Sequence, residues 1–324
     1  MQRLPRLLGL AVLLLVLAGG ALAQAWPAKP VRVIVPFPPG GGAEAAARFL
    51  AADFAQAFGQ SFVVDNRPGG NTVIGTEAAA RSAPDGTTLL VTGGSTMSIQ
   101  PLVFAGKLPY DPLVDFAPVT QVSHFPFFVV VPASIGVGTL AELVAYAKAR
   151  PGQLSYASNG SGTMAHLGME MLKQATGMDL LHVPYKGFGP ALPDLLSGRV
   201  TVMMADLAPV GQHLRSGALR ALAATSRERS SFLPEVPSVA ELGHPGYEID
   251  VWFGLFAPAK TPPEIVAKLN AEAVRYLGSA EAKEAFGKVG HEPLPSSPGA
   301  VRARVAAEQK SFARAVKDAG LKPE

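Results

Sequence analysis

The chain has 324 residues with 28 basic and 25 acidic side chains, a formal net charge of only +3, and no cysteine. Without cysteine, disulfides, thiolate catalysis and a cysteine-linked lipid anchor are all excluded. No run of Lys and Arg interleaved with aromatic residues occurs, so a nucleic-acid partner is not expected. The length is enough for two domains with ordinary apolar cores.

Residues 1–23 have the pattern of a secretory signal peptide. Arg3 and Arg6 precede an apolar run at 7–18, and Ala21-Leu22-Ala23 is a small-residue cleavage signal. The apolar run is shorter than the roughly 20 residues that a membrane span needs. We therefore predict cleavage after Ala23 and export to the periplasm without a lipid anchor. Loss of the two arginines leaves 26 basic and 25 acidic residues, so the mature chain is nearly neutral.

The mature chain begins with a strand, a Gly-rich loop and a helix. Residues 31–35 are apolar, 36–42 read PFPPGGG, and helical spacing of apolar residues follows from Ala43 to Phe58, with Gly59 as the stop. A Gly-rich loop that enters a helix presents free amides at the positive end of the helix dipole. This geometry suits a carboxylate or phosphate. The alternative is a tight strand-to-helix turn without a ligand.

Two further strand predictions complete a βαβαβ unit. Strands are predicted at 61–64 and 87–91, with a helix at 75–81 between them. In a doubly wound parallel sheet, ligands lie beyond the carboxyl ends of the strands. The loops at 36–42, 66–75 and 93–96 are then expected on one rim.

The same plan recurs in the second half of the chain. Strands are predicted at 119–122, 127–131, 153–158, 180–184, 200–204 and 219–224, and helices at 164–176, 190–196 and 210–216. Thr139 and Glu142 form a capping box that opens another helix. The segment between the strands at 119–122 and 127–131 is a candidate crossover between two lobes.

The last part of the chain is predicted to return to the first lobe. Residues 247–256 are β-prone and form a second candidate crossover, Thr261 and Glu264 are read as a capping box, and a final helix is predicted at 299–319. The predicted domains are therefore residues 24–123 with 250–324 as lobe 1, and 124–249 as lobe 2. Two lobes joined by two crossovers can open and close as a hinge.

Motifs for catalysis, metals and cofactors are absent from the sequence. There is no GxxxxGK[ST], HExxH or GxSxG, and the six histidines have no metal-ligand spacing. Residues 160–165 match GxGxxA, a pattern that can indicate a dinucleotide-binding site. Such a site needs an acidic residue at the end of the next strand to bind the ribose, and that strand ends in Pro184-Tyr185-Lys186 instead. We predict no cofactor and no metal.

The motifs resemble one family along nearly the whole mature chain. The similarity is to the periplasmic solute-binding receptors of tripartite tricarboxylate transporters, the TctC or Bug-type receptors. The matching segments are PFPPGGG at 36–42, DNRPG at 65–69, NGSGTMAHL at 159–167, HVPYKGFGPAL at 182–192, LLSGRV at 195–200, LRALA at 219–223, TSRERS at 225–230 and WFGLFA at 252–257. Each motif is weak alone, but together and in order they are specific.

This resemblance implies an α/β fold of the two-lobed periplasmic binding protein type II (Venus flytrap) class, with two doubly wound sheets joined by two crossovers. It implies a monomer that binds a small carboxylate or other anionic solute, often through ordered waters, and passes it to membrane transporter subunits. No catalytic residues are implied. The ligand-binding residues carried over are Phe37, Gly40, Gly41, Thr76, Ser95, Thr96, Ser158, Gly160, Gly162, Thr163, His166 and Asp206.

The chain departs from the family pattern at three places. Ala43-Glu44 replaces the usual Thr-Asp, residues 70–73 read GNTV where the family is Gly-rich, and Ala205 replaces the common Phe before Asp206. Because of these changes, the resemblance does not identify the specific solute.

Several site residues also have a purely structural interpretation. Phe37 could pack under its loop, Thr163 could be only a helix cap, and His166 could be a structural histidine. Asp206 could cap the following turn, or could favour an amine or hydroxyl on the ligand if it faces the cleft.

Two other functions compete with the transport receptor. An exported enzyme could use Asp206 and His166 as an acid–base pair, which requires these groups within about 3 Å of each other or joined by one water. A receptor for a two-component sensor would share the binding chemistry and differ only in its partner.

Overall fold

The computed structural model describes residues 26–104 and 106–321, so the predicted signal peptide lies outside the described residues. The strands are β1 Val31–Val35, β2 Phe62–Asn66, β3 Thr88–Gly93, β4 Phe116–Phe125, β5 Phe128–Pro132, β6 Ser155–Ser158, β7 Leu181–Pro184, β8 Val202–Ala205, β9 Leu219–Ala224, β10 Val251–Pro258 and β11 Glu292–Pro293. The helices are α1 Gly42–Phe58, α2 Val73–Ala80, α3 Gly94–Ser98, α4 Gln100–Phe104, α5 Leu140–Lys148, α6 Met164–Thr176, α7 Phe188–Leu196, α8 Leu207–Arg215, α9 Pro263–Leu277, α10 Ala280–Gly287 and α11 Pro298–Asp318, with a 3₁₀ turn at Ala133–Ile135.

The strands form two mixed sheets of related design. The first has the order β11-β4-β10-β3-β1-β2, in which β2, β1 and β3 are parallel and β10 runs antiparallel to both β3 and β4. The second has the order β7-β6-β8-β5-β9, in which β7, β6 and β8 are parallel and β5 runs antiparallel to both neighbours. Each sheet therefore contains a parallel βαβαβ unit with antiparallel strands beside it, namely β10 and β11 in the first sheet and β5 in the second, as the two-lobed prediction requires.

The two sheets are linked by chain segments that lie side by side. The chain leaves the first sheet after Phe125 and returns at Val251, and these two residues are paired in the β4–β10 register. Thr225 joins the segments, since its hydroxyl accepts from the Phe127 amide at 2.9 Å and donates to the Ile249 carbonyl at 3.1 Å. The Thr225 amide also donates to the Phe127 carbonyl, and the Thr225 carbonyl accepts from the Ile249 amide, so main-chain and side-chain hydrogen bonds hold the two links together.

Helix α1 packs on the first sheet and so fixes the end of the first Gly-rich loop. Its inner face carries Ala46, Leu50 and Phe54, all at most 1 % exposed. Burial of a Leu or Phe side chain contributes about 1.5–3 kcal/mol, which fixes the helix on the sheet. Gly59 then ends the helix in the left-handed conformation at φ 67°. The strand β1 and the helix α1 therefore fix both ends of the loop at 36–41.

The last helix ties the C-terminal part of the chain to the first sheet. The Trp252 indole on β10 donates to Glu308 Oε1 of α11 at 2.8 Å, and Val301 and Val305 pack in the same core as Trp252. The last helix therefore packs on the first sheet.

The predicted capping box at Thr261 is wrong. Helix α9 begins at Pro263, Pro262 is its N-cap, and no side chain caps it. The residue before a proline is driven out of the helical region, so Pro262 must be extended and takes the cap position itself. By contrast, the Thr139 capping box is present, with Glu142 as its partner.

Three helices, α3, α4 and α10, were not predicted. The segment at 93–96 was expected to be a loop, but Gly94–Ser98 is a helical turn, and the Trp252 ring lies where a side chain at Gly94 would stand. Helix α10 buries only Ala282 and Phe286, so its sequence has no broad apolar stripe. In the part of the chain that the structure describes, no helix is both long and apolar enough to cross a membrane.

Candidate functional site

A cavity lies between the two sheets, at the carboxyl ends of their parallel strands. It holds about 590 Å³ of empty space, counted with its open mouth. Five parallel strands lead to it: β1 to the Gly-rich loop, β3 to Ser95, β6 to Asn159, β7 to Gly187 and β8 to Asp206, and β4 and β10 contribute further residues. The lining residues are Phe37, Pro38, Pro39, Gly41, Gly42, Ala43, Gly93, Ser95, Phe125, Phe127, Asn159, Met164, Gly187, Phe188, Gly189, Asp206, Val251 and Phe253.

The cavity is mainly aromatic, with few polar groups. Five phenylalanines line it, and Ser95, Asn159 and Asp206 supply the polar side chains. Asp206 is the one charged side chain in this lining, which contains no Lys or Arg. Any anion bound here must therefore be held by backbone amides, hydroxyls or water, as is common for small-molecule sites with a few well-placed polar groups.

The start of helix α1 opens directly onto this cavity. Gly41 is the N-cap, no side chain caps the helix, and Gly41, Gly42 and Ala43 all line the cavity. The first-turn amides of a helix have no intrahelical acceptor and lie at the positive end of its dipole. The amide of Gly40 is occupied, because it donates to Glu44 Oε2 at 2.6 Å. Gly40 does not line the cavity.

Thr76 and Thr96 lie behind the first-sheet rim of the cavity. Thr76 is fully buried and its hydroxyl donates to the Thr72 carbonyl at 2.9 Å. Thr96 is 1 % exposed and its hydroxyl lies 3.2 Å from that of Thr72. Of the first-lobe residues expected to bind ligand, the structure brings Phe37, Gly41 and Ser95 to the cavity and leaves the others outside it.

The loop before α2 has an unusual backbone. Asn71 and Thr72 have φ of 52° and 75°, in the left-handed region that a β-branched residue rarely adopts. Glycine adopts positive φ without steric cost, so Asn71 and Thr72 hold a backbone conformation that glycine would adopt more readily. Gln100 holds the loop through bonds to the Asn71 carbonyl and the Thr72 hydroxyl. Asn71 also reaches the other lobe, since its Oδ1 lies 2.7 Å from where a Cβ of Gly160 would stand.

The second-sheet rim is a network of internal hydrogen bonds. Ser158 Oγ lies 2.6 Å from His182 Nε2, and the Thr163 hydroxyl donates to the Gly160 carbonyl at 2.7 Å. Thr163 is also the N-cap of α6 and accepts from the His166 amide. The Gly162 amide donates to His166 Nδ1 at 3.1 Å. These six residues shape the loop, while Asn159 and Met164 provide its lining of the cavity.

His166 is held as a neutral imidazole. Burial is the main cause that lowers its pKa to about 3, and the charges of His182 and Lys173 act in the same direction. Its ring stacks on that of His182. This environment fits a structural histidine better than a general base at neutral pH.

Asp206 is the second-lobe residue that the sequence predicted and the structure brings to the cavity. It follows β8 and is the N-cap of α8, yet its carboxylate makes no capping bond. Its Oδ2 lies 3.4 Å from His291 Nε2, and its Oδ1 has no hydrogen-bond partner among the described residues. Only 2 % of the residue is exposed.

No hydrogen bond joins His166 to Asp206 in the described residues: His166 Nδ1 accepts from the Gly162 amide, and Asp206 Oδ2 lies near His291 Nε2. The direct contact that the enzyme alternative could use is therefore not formed. No group of three or more His, Asp or Glu side chains is placed to hold a metal ion within residues 26–104 and 106–321.

Several cavity residues were not predicted. Asn159 belongs to a motif that the sequence did identify. Phe125, Phe127 and Phe253 lie at the links between the two sheets, where the sequence indicated only strands and candidate crossovers. His291 is separated from Asp206 by 85 residues and carries no local motif.

Comparison with known proteins places this site in context. Residues 46–321 match the model of the family described as tripartite tricarboxylate transporter family receptor. The chain is 39 % identical to Protein BugT of Bordetella pertussis over 322 residues, which is 99 % of each chain. An R. palustris protein solved with adipate has a TM-score of 0.89 and 36 % identity, covering 92 % of this chain and 100 % of that one. MatC of Rhodopseudomonas palustris with bound malate has a TM-score of 0.84 and 31 % identity, with 90 % and 100 % covered.

Proposed function

The chain belongs to the family of tripartite tricarboxylate transporter receptors, and we propose that it captures a small carboxylate in the cavity between its lobes and delivers it to a membrane transporter of that type. One observation carries this proposal. The uncapped start of α1 opens onto a cavity whose lining has no basic side chain, so the available anion donors are its backbone amides together with the Ser95 hydroxyl and the Asn159 amide.

The solutes of two relatives support the same ligand class. The R. palustris protein was solved with adipate and MatC with malate, and both are small dicarboxylates. In this chain we assign the solute contacts to Phe37, Gly41, Ser95, Asn159 and Asp206, which line the cavity. We assign Gly40, Thr76, Thr96, Ser158, Gly160, Gly162, Thr163 and His166 to holding the two rims in shape.

We propose that the receptor acts as a periplasmic monomer after cleavage behind Ala23. Lobe 1 would comprise residues 24–123 and 250–324, and lobe 2 residues 124–249. A solute that touches both lobes stabilises the closed state through its differential contacts. It would be released at the membrane when the transporter subunits favour the open state.

A thermal-shift screen of the exported protein against mono-, di- and tricarboxylates tests this function. A solute at 100 times its dissociation constant stabilises the folded state by about 2.7 kcal/mol, which raises the melting temperature by several degrees. We expect a concentration-dependent shift with one class of acid, which is recovered unchanged. Absence of a shift with every acid, or recovery of a converted product, would contradict the proposal.

A further inference from the structure

Asp206 and His291 form a buried contact between the two lobes. Asp206 follows β8 of the second sheet, whereas His291 directly precedes β11 of the first sheet. Their side chains are 3 % and 0 % exposed, and His291 Nε2 lies 3.4 Å from Asp206 Oδ2. Because the two residues come from different sheets, this contact exists only when the lobes are together.

The His291 ring is fixed from two sides by aromatic residues of the cavity. It stacks on Phe125 with 4.0 Å between ring centroids and 12° between planes, and it lies 5.5 Å from the Phe253 centroid. The His291 amide also donates to the Phe286 carbonyl at 3.1 Å. The imidazole therefore has a defined orientation toward Asp206.

Asp206 and His291 lie against Gly42 at the start of α1, in space that a larger side chain would occupy. A Cβ on Gly42 would stand 2.5 Å from Asp206 Oδ2 and 2.5 Å from His291 Cε1. The Asp206 carboxylate thus lies beside the helix terminus whose dipole favours negative charge. Asp206 Oδ2 is therefore enclosed between His291 and Gly42.

The other oxygen, Asp206 Oδ1, is the unusual atom of the cavity. It is buried without a hydrogen-bond partner among the described residues, and Asp206 lines a cavity that is otherwise aromatic or uncharged. A buried charged acceptor that lacks a partner is costly, whereas a hydrogen bond to a charged group is worth more than a neutral one. A donor on the solute would satisfy this oxygen, and a second carboxylate placed here would be repelled.

We infer that His291 is a positioning residue that holds Asp206 Oδ2 so that Oδ1 faces the solute, and that this pair selects carboxylates bearing a hydroxyl or ammonium group. The inference rests on the proposed function, because it takes a carboxylate as the solute. It adds the solute class, namely hydroxy or amino acids in preference to plain acids of the same skeleton. The solute carboxylate then binds toward the first-turn amides of α1, and its donor binds toward Asp206.

Matched pairs of acids test this selectivity. Malate against succinate, and mandelate against phenylacetate, differ by one hydroxyl on the same carbon skeleton. We expect the exported protein to bind the hydroxy acid of at least one pair at least about tenfold more tightly by isothermal titration. Aspartate and phenylglycine extend the test to the ammonium donor.

Three variants separate the positioning role from a packing role. His291→Phe keeps the stack on Phe125 but cannot donate to Asp206, so the preference should fall to within about twofold of parity. His291→Gln retains a donor and should restore at least part of the preference. Asp206→Asn removes the charged acceptor and should also abolish the preference. If His291→Phe does not fold, His291→Met serves as a flexible apolar replacement.

Tyr247→Phe is the matched control for loss of a buried hydrogen bond. Tyr247 donates to the Gly168 carbonyl at 2.9 Å inside the second lobe and does not line the cavity. It should lower stability while leaving the hydroxy-acid preference as in the wild type. This control separates a change in selectivity from a general loss of stability.

The outcomes are distinct. A preference that survives in His291→Phe overturns the positioning role, and equal binding of both members of every pair overturns the selectivity while leaving the carboxylate receptor intact. No binding of any acid overturns the proposed function and the inference with it. Loss of the hydroxy-acid preference in His291→Phe, with its recovery in His291→Gln, supports the inference.

Discussion

The imidazole of His166 stacks on that of His182 with 3.8 Å between centroids and 20° between planes. Ser158 Oγ lies 2.6 Å from His182 Nε2, and the Tyr156 ring lies 4.9 Å from that of His182 and 6.3 Å from that of His166. The rim of the second lobe therefore rests on a cluster of three rings. This cluster depends on His166 remaining uncharged, which gives the protein a specific pH dependence.

We expect His166 to destabilise the protein in acid. Its pKa is about 3 in the folded state, mainly because of burial, and about 6.5 when unfolded. Between these values the unfolded chain binds more protons, so stability falls as pH drops below 6.5, with a slope of up to about 1.4 kcal/mol per pH unit. His166→Asn keeps an acceptor for the Gly162 amide and should flatten this slope in urea unfolding from pH 7 to 4. His213→Asn, on a helix surface, is the control, and an equal change in both variants would contradict the assignment.

His124 should show the opposite sign. Its ring lies 3.4 Å from both Asp250 and Glu292, where the two sheets are linked. The hydrogen bond to Asp250 raises its pKa above 6.5, against the effect of burial. Its stabilisation is therefore fully present below pH 6.5 and is lost as pH rises through the raised pKa. The stability difference between wild type and His124→Gln should shrink from pH 6 to 8.5, and a constant difference would exclude this linkage.

Gly160 tests whether close approach of the lobes is needed for binding. A Cβ there would stand 2.7 Å from Asn71 Oδ1 of the other lobe. Gly160→Ala should therefore lower the affinity for the strongest carboxylate in the panel by at least about tenfold, because the lobes cannot fully close. Gly152→Ala is matched, since Gly152 also has positive φ but no atom within 4 Å. Backbone strain destabilises both variants, more so at Gly160, whose φ of 138° lies outside the left-handed region that contains Gly152 at 69°. Affinities are therefore compared under conditions where both variants are folded, and equal affinities in the two would remove the closure role.

Thr163 should contribute mainly to stability. Its hydroxyl bonds the Gly160 carbonyl and accepts from the His166 amide, and the residue is 3 % exposed. Thr163→Val should cost about 1 kcal/mol in the free energy of unfolding, as for loss of a helix cap. Thr163→Ser keeps both bonds and should lose less than half of this amount. Unchanged stability in Thr163→Val would show that the cap contributes nothing.

Thr225 should stabilise the links between the lobes. Its hydroxyl bonds the Phe127 amide and the Ile249 carbonyl, and the residue is fully buried. Thr225→Val conserves shape but leaves the buried amide unpaired, which should cost about 1–3 kcal/mol. Thr225→Ser is the control that retains the bonds. Hydrogen exchange of the Phe127 amide should accelerate in the valine variant alone.

The elements that local chemistry defines were predictable from the sequence. Helix α6 was predicted at the residues where it occurs, because Thr163 caps its start and Gly177 at φ 71° ends it. Thr261 shows the limit of the same rule, since two consecutive prolines shifted the cap to Pro262. Local rules therefore hold until a neighbouring residue restricts the backbone.

The site was less predictable because it depends on how distant segments converge. Strand-end loops were expected to meet, and Phe37, Gly41, Ser95 and Asp206 do line one cavity. Which residue of a loop faces inward is decided by packing, so Thr76 and Ser158 are fully buried behind their loops. His291 reaches Asp206 across 85 residues, a contact that no spacing in the sequence encodes.

The paired links also limit how the receptor can move. Phe125 and Val251 run side by side, and Thr225 fastens the segments that follow and precede them. A double, cross-braced connection resists twisting and sliding far more than bending. The lobes are thus left with essentially one angular degree of freedom. A single inter-lobe distance, read by one pair of fluorescent labels, should therefore follow the whole conformational cycle of this receptor.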